Sequence, residues 1–199
     1  MDLTTILERA RHASRSLNLV DDDTINRVLR HLAKATIEDT ATILQANATD
    51  LAAMDEDNPM RDRLRLTPER LADIAKSMED VAALPSPLNK MLAQWTRPNG
   101  MKITKVSVPF GVIGVIYEAR PNVTFDVFSL CFRSGNACVL KGGSEGLILG
   151  RIDAVYAYLV EIFHGCIVVA FVGLAFGDGE IHLGRAKAAI IPKRVEIRS

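Results

Sequence analysis

From Ile6 to about Ala83 the apolar residues recur three and four positions apart, the spacing of helices that bury one face. Ile6, Ala10 and Ala13 or Leu17 form a first stripe. Ile25, Val28, Leu29, Leu32, Ala35 and Ile37 form a second, opened by Asp21-Asp22-Asp23, whose carboxylates suit the positive end of a helix dipole. Ala41, Leu44, Ala48, Leu51 and Ala52 carry a third until Asn58-Pro59 interrupts it. The basic cluster Arg61, Arg63 and Arg65 then reads as a solvated, salt-bridged face. Thr67-Pro68-Glu69 predicts a sharp helix start, with an oxygen-bearing cap, a proline where its missing N–H is no loss, and an early carboxylate. That helix should reach about Leu84, where Pro85-Ser86-Pro87 ends it.

At Lys90 the period changes. Met91 to Thr96 and Met101 to Val108 flank Arg97-Pro98-Asn99-Gly100, and Asn-Gly is a favoured hairpin turn. Lys102, Ile103, Thr104, Lys105 and Val106 mix polar and apolar positions in the manner of a half-exposed strand. A protruding two-stranded arm is predicted. Its unpaired edges are expected to join a sheet of another subunit or to lie over a neighbouring domain.

The centre of the chain carries two buried-strand patterns. Gly111-Val112-Ile113-Gly114-Val115-Ile116-Tyr117 is a continuous apolar run, followed by a helical stripe through Val123, Val127, Leu130 and Cys131. Ser134-Gly135-Asn136 stops that helix, with Gly135 placed for a left-handed cap. Ala137-Cys138-Val139-Leu140 is a second short strand, ending at Lys141-Gly142-Gly143-Ser144-Glu145. Strand, helix and strand within about thirty residues predict a βαβ unit with parallel strands buried on both faces. Ligands of such sheets gather at the carboxyl ends of the strands, where the loops Glu118 to Thr124 and Lys141 to Glu145 lie.

Composition narrows the function classes. A chain of 199 residues, 48% hydrophobic and 24% charged, is ordinary for a folded protein, which disfavours a disordered chain or a small disulfide scaffold. The 24 Lys plus Arg balance 24 Asp plus Glu, so the charge footprint of a nucleic-acid binder is missing and any anionic ligand must be held locally. Three cysteines cannot pair off, none forms Cys-x-x-Cys, and His12, His31, His164 and His182 have no zinc-ligand spacing with them. No metal is expected, and a reducing cytoplasm fits. Met1-Asp2-Leu3-Thr4 opens no secretion signal. The apolar run Cys166 to Phe176 is shorter than the roughly 20 residues that span a bilayer, and its extension towards Ala154 crosses Glu161 and His164. No membrane span is expected.

Neither standard phosphate cradle is present. Gly111-x-x-Gly114 lies before or within a strand, and Lys141-Gly142-Gly143-Ser144 carries its lysine ahead of the glycines. A lysine directly after a buried strand, beside two glycines, can still hold a ribose or phosphate through its charge and free N–H groups. A plain strand-end lysine is the other reading. Cys131 on the helix stripe and Cys138 inside a strand read as packing thiols. Cys166 follows His164 by two positions, and residues two apart seldom face one another, so a cysteine-histidine nucleophile is not expected there.

The string Val108-Pro109-Phe110-Gly111-Val112-Ile113-Gly114-Val115-Ile116-Tyr117-Glu118-Ala119-Arg120-Pro121-Asn122-Val123-Thr124, with Ser134 to Glu145, resembles the gamma-glutamyl phosphate reductase family of the aldehyde dehydrogenase superfamily. Tyr117 to Asn122 is its most specific element. The N-terminal helices and the hairpin around Pro98-Asn99-Gly100 resemble the same family, so the likeness covers roughly residues 1–145. It implies an α/β fold: N-terminal helices, a protruding β-hairpin arm and an incomplete Rossmann-like parallel sheet of aldehyde dehydrogenase type. The corresponding segments are 1–89 for the helical part of the cofactor-binding domain, 90–109 for the arm, 110–145 for the βαβ core and 146–199 for a divergent tail.

The resemblance further implies NADPH-dependent reduction of L-glutamyl 5-phosphate to L-glutamate 5-semialdehyde and phosphate, the second step of proline synthesis from glutamate. A cysteine thiolate would expel phosphate to give a thioester that accepts hydride. Lys141 matches the lysine that holds the cofactor's adenosine ribose, with Gly142, Gly143, Ser144 and Glu145 around it. Asn122 is the nearest candidate for the amide that stabilises the oxyanion. Arg120 competes for that place or grips a substrate carboxylate or phosphate. A cap on a helix beginning near Val123 remains the other role for Asn122. Implied partners are a second copy of the chain, through residues 90–109, and glutamate 5-kinase in the same pathway.

After Glu145 the likeness stops. Segment 146–199 holds 7 of the 13 glycines and no motif of the family, whose nucleophilic cysteine lies far downstream of the lysine loop. The expectation is a truncated chain whose tail is read out of frame and which lacks the catalytic cysteine. Its alternative function is then a non-catalytic cofactor-binding or oligomerisation fragment.

Overall fold

In the computed structural model of the protein the described residues are 3–118, 120–141, 170–171, 174–177 and 180–183. Helix α1 (Leu3–Leu17) buries Ile6, Ala10, Ala13 and Leu17 on one face, as their spacing requires. Helix α2 (Asp22–Glu38) starts at Asp21, whose carboxylate accepts from the Thr24 N–H at 2.7 Å. Its core face holds Ile25, Val28, Leu29, Leu32 and Ala35. Ile37, counted in that stripe, is instead 47% exposed. Thr36 stands four residues after Leu32 and takes the buried place, its hydroxyl donating to the Leu32 carbonyl at 2.9 Å.

Helix α3 (Thr40–Ala52) departs further from the expected stripe. Ala41, Ala48 and Ala52 are exposed, Leu44 and Leu51 half-buried, and the buried face is Ile43, Asn47 and Asp50. Asn47 replaces a peptide partner for a distant segment: its amide donates to the Leu64 carbonyl and its oxygen accepts from the Leu66 N–H, both at 2.8 Å. A buried amide whose donor and acceptor are both used costs little to desolvate. The one-turn helix α4 (Arg61–Leu64) follows. Arg61 corrects the solvated reading of the basic cluster, since its guanidinium donates to the Leu51 and Met54 carbonyls at 2.9 Å and closes the end of α3. Arg63 and Arg65 are exposed.

Helix α5 (Pro68–Ala83) has the expected cap, the Thr67 hydroxyl accepting from the Arg70 N–H at 3.2 Å. It packs along α2 on one side and against α6 (Pro121–Arg133) on another. Strands β1 (Met91–Thr96) and β2 (Lys102–Val106) form the predicted antiparallel arm, with Trp95 opposite Ile103 and Gly100 at φ +83° in the turn. Every β1 residue is exposed, Trp95 by 46%.

Strand β3 (Val112–Ile116), helix α6 and strand β4 (Ala137–Lys141) make the predicted βαβ unit, with β3 and β4 parallel and Val112 opposite Ala137. Gly135 ends α6 at φ +72°, the left-handed conformation anticipated for it. Beside it the Asn136 side chain accepts from the Gly111 N–H at 2.9 Å and pins the start of β3 to that of β4. The short β5 (Ala170–Phe171) continues the sheet in the order β3-β4-β5, while β6 (Leu174–Gly177) and β7 (Glu180–Leu183) pair antiparallel. Burial on both faces holds for residues 137–140 of β4 but not for β3, where Ile116 is 80% exposed. Among the described residues β3 is an edge strand, covered less completely than its neighbour.

One apolar core joins these parts. Leu29 and Leu32 of α2, Leu71 and Met78 of α5, Phe128 and Phe132 of α6 and Leu140 of β4 belong to it. The Phe128 and Phe132 rings stack with centroids 5.4 Å apart. No helix among the described residues is long and apolar enough to cross a membrane.

Candidate functional site

The carboxyl edge of the parallel sheet places the predicted residues. Ile116 at the end of β3 stands opposite Lys141 at the end of β4, so the loop after β3 and the Lys141 backbone share one edge. Gly142, Gly143, Ser144, Glu145 and Cys166 lie outside the described residues. Tyr117 ties the loop to the first turn of α6 through a 2.5 Å hydrogen bond between its hydroxyl and that of Thr124. Burial pushes the Tyr117 hydroxyl above its ordinary pKa, which keeps it neutral and structural.

Arg120 is the cap residue of α6, with extended backbone at φ −138°, ψ 95° and no side-chain cap bond. Pro121 occupies the first turn, where its fixed φ is favourable. The helix therefore begins ahead of Val123, and Asn122 is not its cap. Asn122 is exposed in the first turn of α6, one turn before Asp126. Asp126 and Ser77 of α5 both line the neighbouring cleft. Burial raises the Asp126 pKa, against the lowering effect of the nearby Ser77 and Asn122 side chains.

These residues open on a cleft of about 480 Å³ between α4, α5 and the start of α6. Arg120, Asn122 and Asp126 line one wall. Arg63, Arg65, Arg70 and Asp73 line the other, with Leu66 and Ile74 as a buried apolar floor. Arg70 is committed, its guanidinium lying 3.8 Å from the Asp62 carboxylate and donating to the Asp62 carbonyl at 2.9 Å. The volume suits a small molecule. Sequence reasoning brought Arg120 and Asn122 here and missed Asp73, Ser77 and Asp126. The signal for the missed α5 residues was the polar stripe Arg70, Asp73 and Ser77, at helical spacing on the side away from Leu71 and Met78.

Neither described thiol lines this cleft. Cys131 and Cys138 are free and buried, as their pattern predicted. The neighbouring Cys131 and burial push the Cys138 thiol well above its ordinary pKa, whereas the neighbouring Cys138 lowers that of Cys131. No group of three or more His, Cys, Asp or Glu residues that could hold a metal occurs among the described residues.

Helices packed on a small parallel sheet, an antiparallel arm beside it and a polar strand-end edge define the aldehyde dehydrogenase fold. The NAD-dependent benzaldehyde dehydrogenase of Corynebacterium glutamicum superposes with a TM-score of 0.63 at 17% identity, over 85% of this chain and 36% of that one. A more particular likeness is to gamma-glutamyl phosphate reductase. The enzyme of that name from Bacteroides thetaiotaomicron is 60% identical over 153 residues, 76% of this chain and 37% of the relative. The crystal structure of the Thermotoga maritima enzyme superposes with a TM-score of 0.78 at 30% identity, covering 86% of this chain and 43% of that one. The chain is a homologue of gamma-glutamyl phosphate reductase, and it spans a little over a third of the length of the curated relatives it matches. No protein-family model matches it.

Proposed function

We propose that the chain carries the cofactor-binding front of an NADPH-dependent reductase that converts L-glutamyl 5-phosphate to L-glutamate 5-semialdehyde and phosphate, in proline synthesis. The observation that carries this reading is the pairing of Ile116 with Lys141, which brings the Tyr117–Asn122 loop and the strand-end lysine to one sheet edge. A nicotinamide dinucleotide suits the sequence there: Lys141 is the last residue of β4, and Gly142 and Gly143 follow it, a lysine-glycine pattern able to hold a ribose or phosphate. When bound, NADPH supplies the hydride that takes the place of phosphate on the acyl carbon. Asn122 offers an amide donor for the oxyanion that develops there, and Arg120 offers a guanidinium for a substrate carboxylate or phosphate.

A second, non-catalytic reading is favoured by the cysteines. The reaction requires a thiolate, and both described thiols are buried and neither lines the cleft. In that reading the chain binds cofactor or partner without turning over. On either reading the exposed β1–β2 arm is the surface for a second copy of the chain, glutamate 5-kinase is the source of the acyl phosphate, and the setting is the cytoplasm.

Two measurements test this. NADPH oxidation by the purified chain with glutamyl phosphate separates the readings: turnover establishes the first, and nucleotide binding without turnover supports the second. Fluorescence titration of NADPH into the native chain and Lys141→Ala tests the cofactor edge. A loss of about tenfold in affinity is expected for one charge-assisted contact. Equal affinity would remove Lys141 from the site.

A further inference from the structure

Two legs join the β1–β2 arm to the body, residues 87–90 before β1 and residues 107–111 after β2. Both rest on the turn that ends α6. The place of a Cβ on Gly135 lies 2.9 Å from Leu88 Cδ1 and 3.6 Å from Pro109 Cβ, and the Gly111 N–H donates to Asn136. Beyond that seat the legs are fastened by Ser107. Its carbonyl accepts from the Asn89 N–H and its N–H donates to the Lys90 carbonyl, both at 3.0 Å, extending the β1–β2 ladder towards the body.

The Ser107 hydroxyl makes a different connection. It accepts from the Lys90 N–H at 2.9 Å and donates to the Pro87 carbonyl, so a side chain of the second leg holds both ends of the turn 87–90 in the first. Within that turn Asn89 stands at φ +55°, a left-handed conformation that its short polar side chain tolerates. Here the chain passes from half-buried Leu88 to β1, every residue of which is exposed. The direction of the arm is therefore set at its root. A strand of six residues is about 20 Å long, so a swing of about 10° at the root carries the tip about 3.5 Å, most of the spacing of about 4.8 Å between paired strands. An edge that must meet its partner in register does not survive such a movement.

We propose that the Ser107 hydroxyl is a clasp that aims the β1–β2 arm, a positioning residue for docking that the partner itself need not touch. The identity of the partner rests on the reading of the arm as the surface for a second copy of the chain, whereas the clasp belongs to the root of the arm. Ser107→Ala keeps the two ladder bonds and the seat on Gly135, so the arm should stay paired while its direction is released.

Trp95 is the one tryptophan of the chain and stands in β1, so the decay of its emission anisotropy reads the arm alone. The decay is measured, at a dilution where the chain is monomeric, on the native chain, on Ser107→Ala, on Ser107→Thr, which keeps the hydroxyl, and on Thr49→Ala, which removes an exposed hydroxyl of α3. The thermal transition and sedimentation equilibrium are followed for each. Ser107→Ala should add a nanosecond component to the decay, the timescale of loop motion, at an unchanged thermal transition. It should also weaken self-association about tenfold, because docking must then order the arm. Ser107→Thr should restore both, and Thr49→Ala should match the native chain. In the native chain the Lys90 amide should exchange with deuterium at least about tenfold more slowly than a free amide, although Lys90 is exposed. A native decay in Ser107→Ala, no restoration by Ser107→Thr, or an unprotected Lys90 amide overturns the proposal. A faster decay in Ser107→Ala, with the native chain monomeric at every concentration, supports the clasp and refutes the second copy as its partner. Weakened self-association with a native decay refutes the clasp and leaves the second copy in place.

Discussion

Arg133 is only 3% exposed although it carries a permanent charge, and its partners decide whether that charge stabilises the fold. Its guanidinium donates to both carboxylate oxygens of Asp22 at the start of α2 and to the Leu84 carbonyl at the end of α5. One side chain at the end of α6 thus holds the ends of two other helices. Removing one partner of a fully buried pair costs about 3–5 kcal/mol, because the remaining charge is left dry. Here the Asp22 side chain is 47% exposed, so water reaches the pair from one side and the cost must be lower. Asp22→Asn keeps the Leu84 bond and should cost about 1–2 kcal/mol. Arg133→Met leaves both Asp22 and the Leu84 carbonyl without their donor and should cost about 2–3 kcal/mol. The double variant should cost no more than Arg133→Met alone, a coupling of about 1–2 kcal/mol. Urea unfolding followed by circular dichroism gives each value. Additive losses within about 0.5 kcal/mol would show that the pair is not an energetic unit and refute the reasoning.

Acidity supplies an independent reading of the same contact. The Arg133 hydrogen bond holds the Asp22 carboxyl below its ordinary value of 3.8. A depressed folded pKa contributes stability that is fully present above the unfolded value and is lost as pH falls through the folded one. The gap between native protein and Asp22→Asn should therefore be constant around neutrality and shrink below pH 3.8. A gap that shrinks above that value would assign the effect to another group.

Three further variants test the scaffold. Asn47→Ala orphans the Leu64 carbonyl and the Leu66 N–H, each bonded at 2.8 Å, and should cost about 2–4 kcal/mol in urea unfolding, with Asn47→Asp no better because it sets a buried carboxylate oxygen against the Leu64 carbonyl. Gly135→Ala puts a Cβ 2.9 Å from Leu88 Cδ1 at φ +72°; it should lower the urea midpoint, and adding Leu88→Ala should restore the part due to the clash but not the part due to φ. Met91→Lys with Leu92→Lys charges the exposed arm, and sedimentation should show loss of self-association with an unchanged thermal transition; an unchanged sedimentation coefficient would remove the arm as the contact.

The sequence made the helices legible where one apolar face meets one core. α1, α2 and α5 repeat their buried residues at helical spacing, and the Thr67-Pro68 start fixes a boundary by local chemistry alone. α3 was misread because Asn47 is buried for the sake of Leu64 and Leu66, 17 and 19 residues away, and no periodicity within α3 reports partners at that distance. β3 was misread for a related reason. Its apolar run is that of a covered strand, yet its coverage depends on strand order, a property of the whole sheet.

The same division runs through the site. Arg120, Asn122 and Lys141 are marked by position in a βαβ unit, since any such unit brings strand-end residues to one edge. Asp73 and Ser77 are marked only as part of the polar stripe of an amphipathic helix, a pattern that solvent-facing helix residues generally share. They reach Arg120, Asn122 and Asp126 because Leu71, Met78, Phe128 and Phe132 fasten α5 to α6. The core that stabilises the chain is therefore also what sets the width of the cleft. A cavity at that seam, such as Met78→Ala would leave, should loosen ligand selectivity as well as stability, whereas Ile6→Ala in α1, outside the α5–α6 seam, should lower stability while leaving the selectivity of the folded fraction intact. Equal loss of selectivity in both variants would mean that the cleft follows global stability and not the α5–α6 contact.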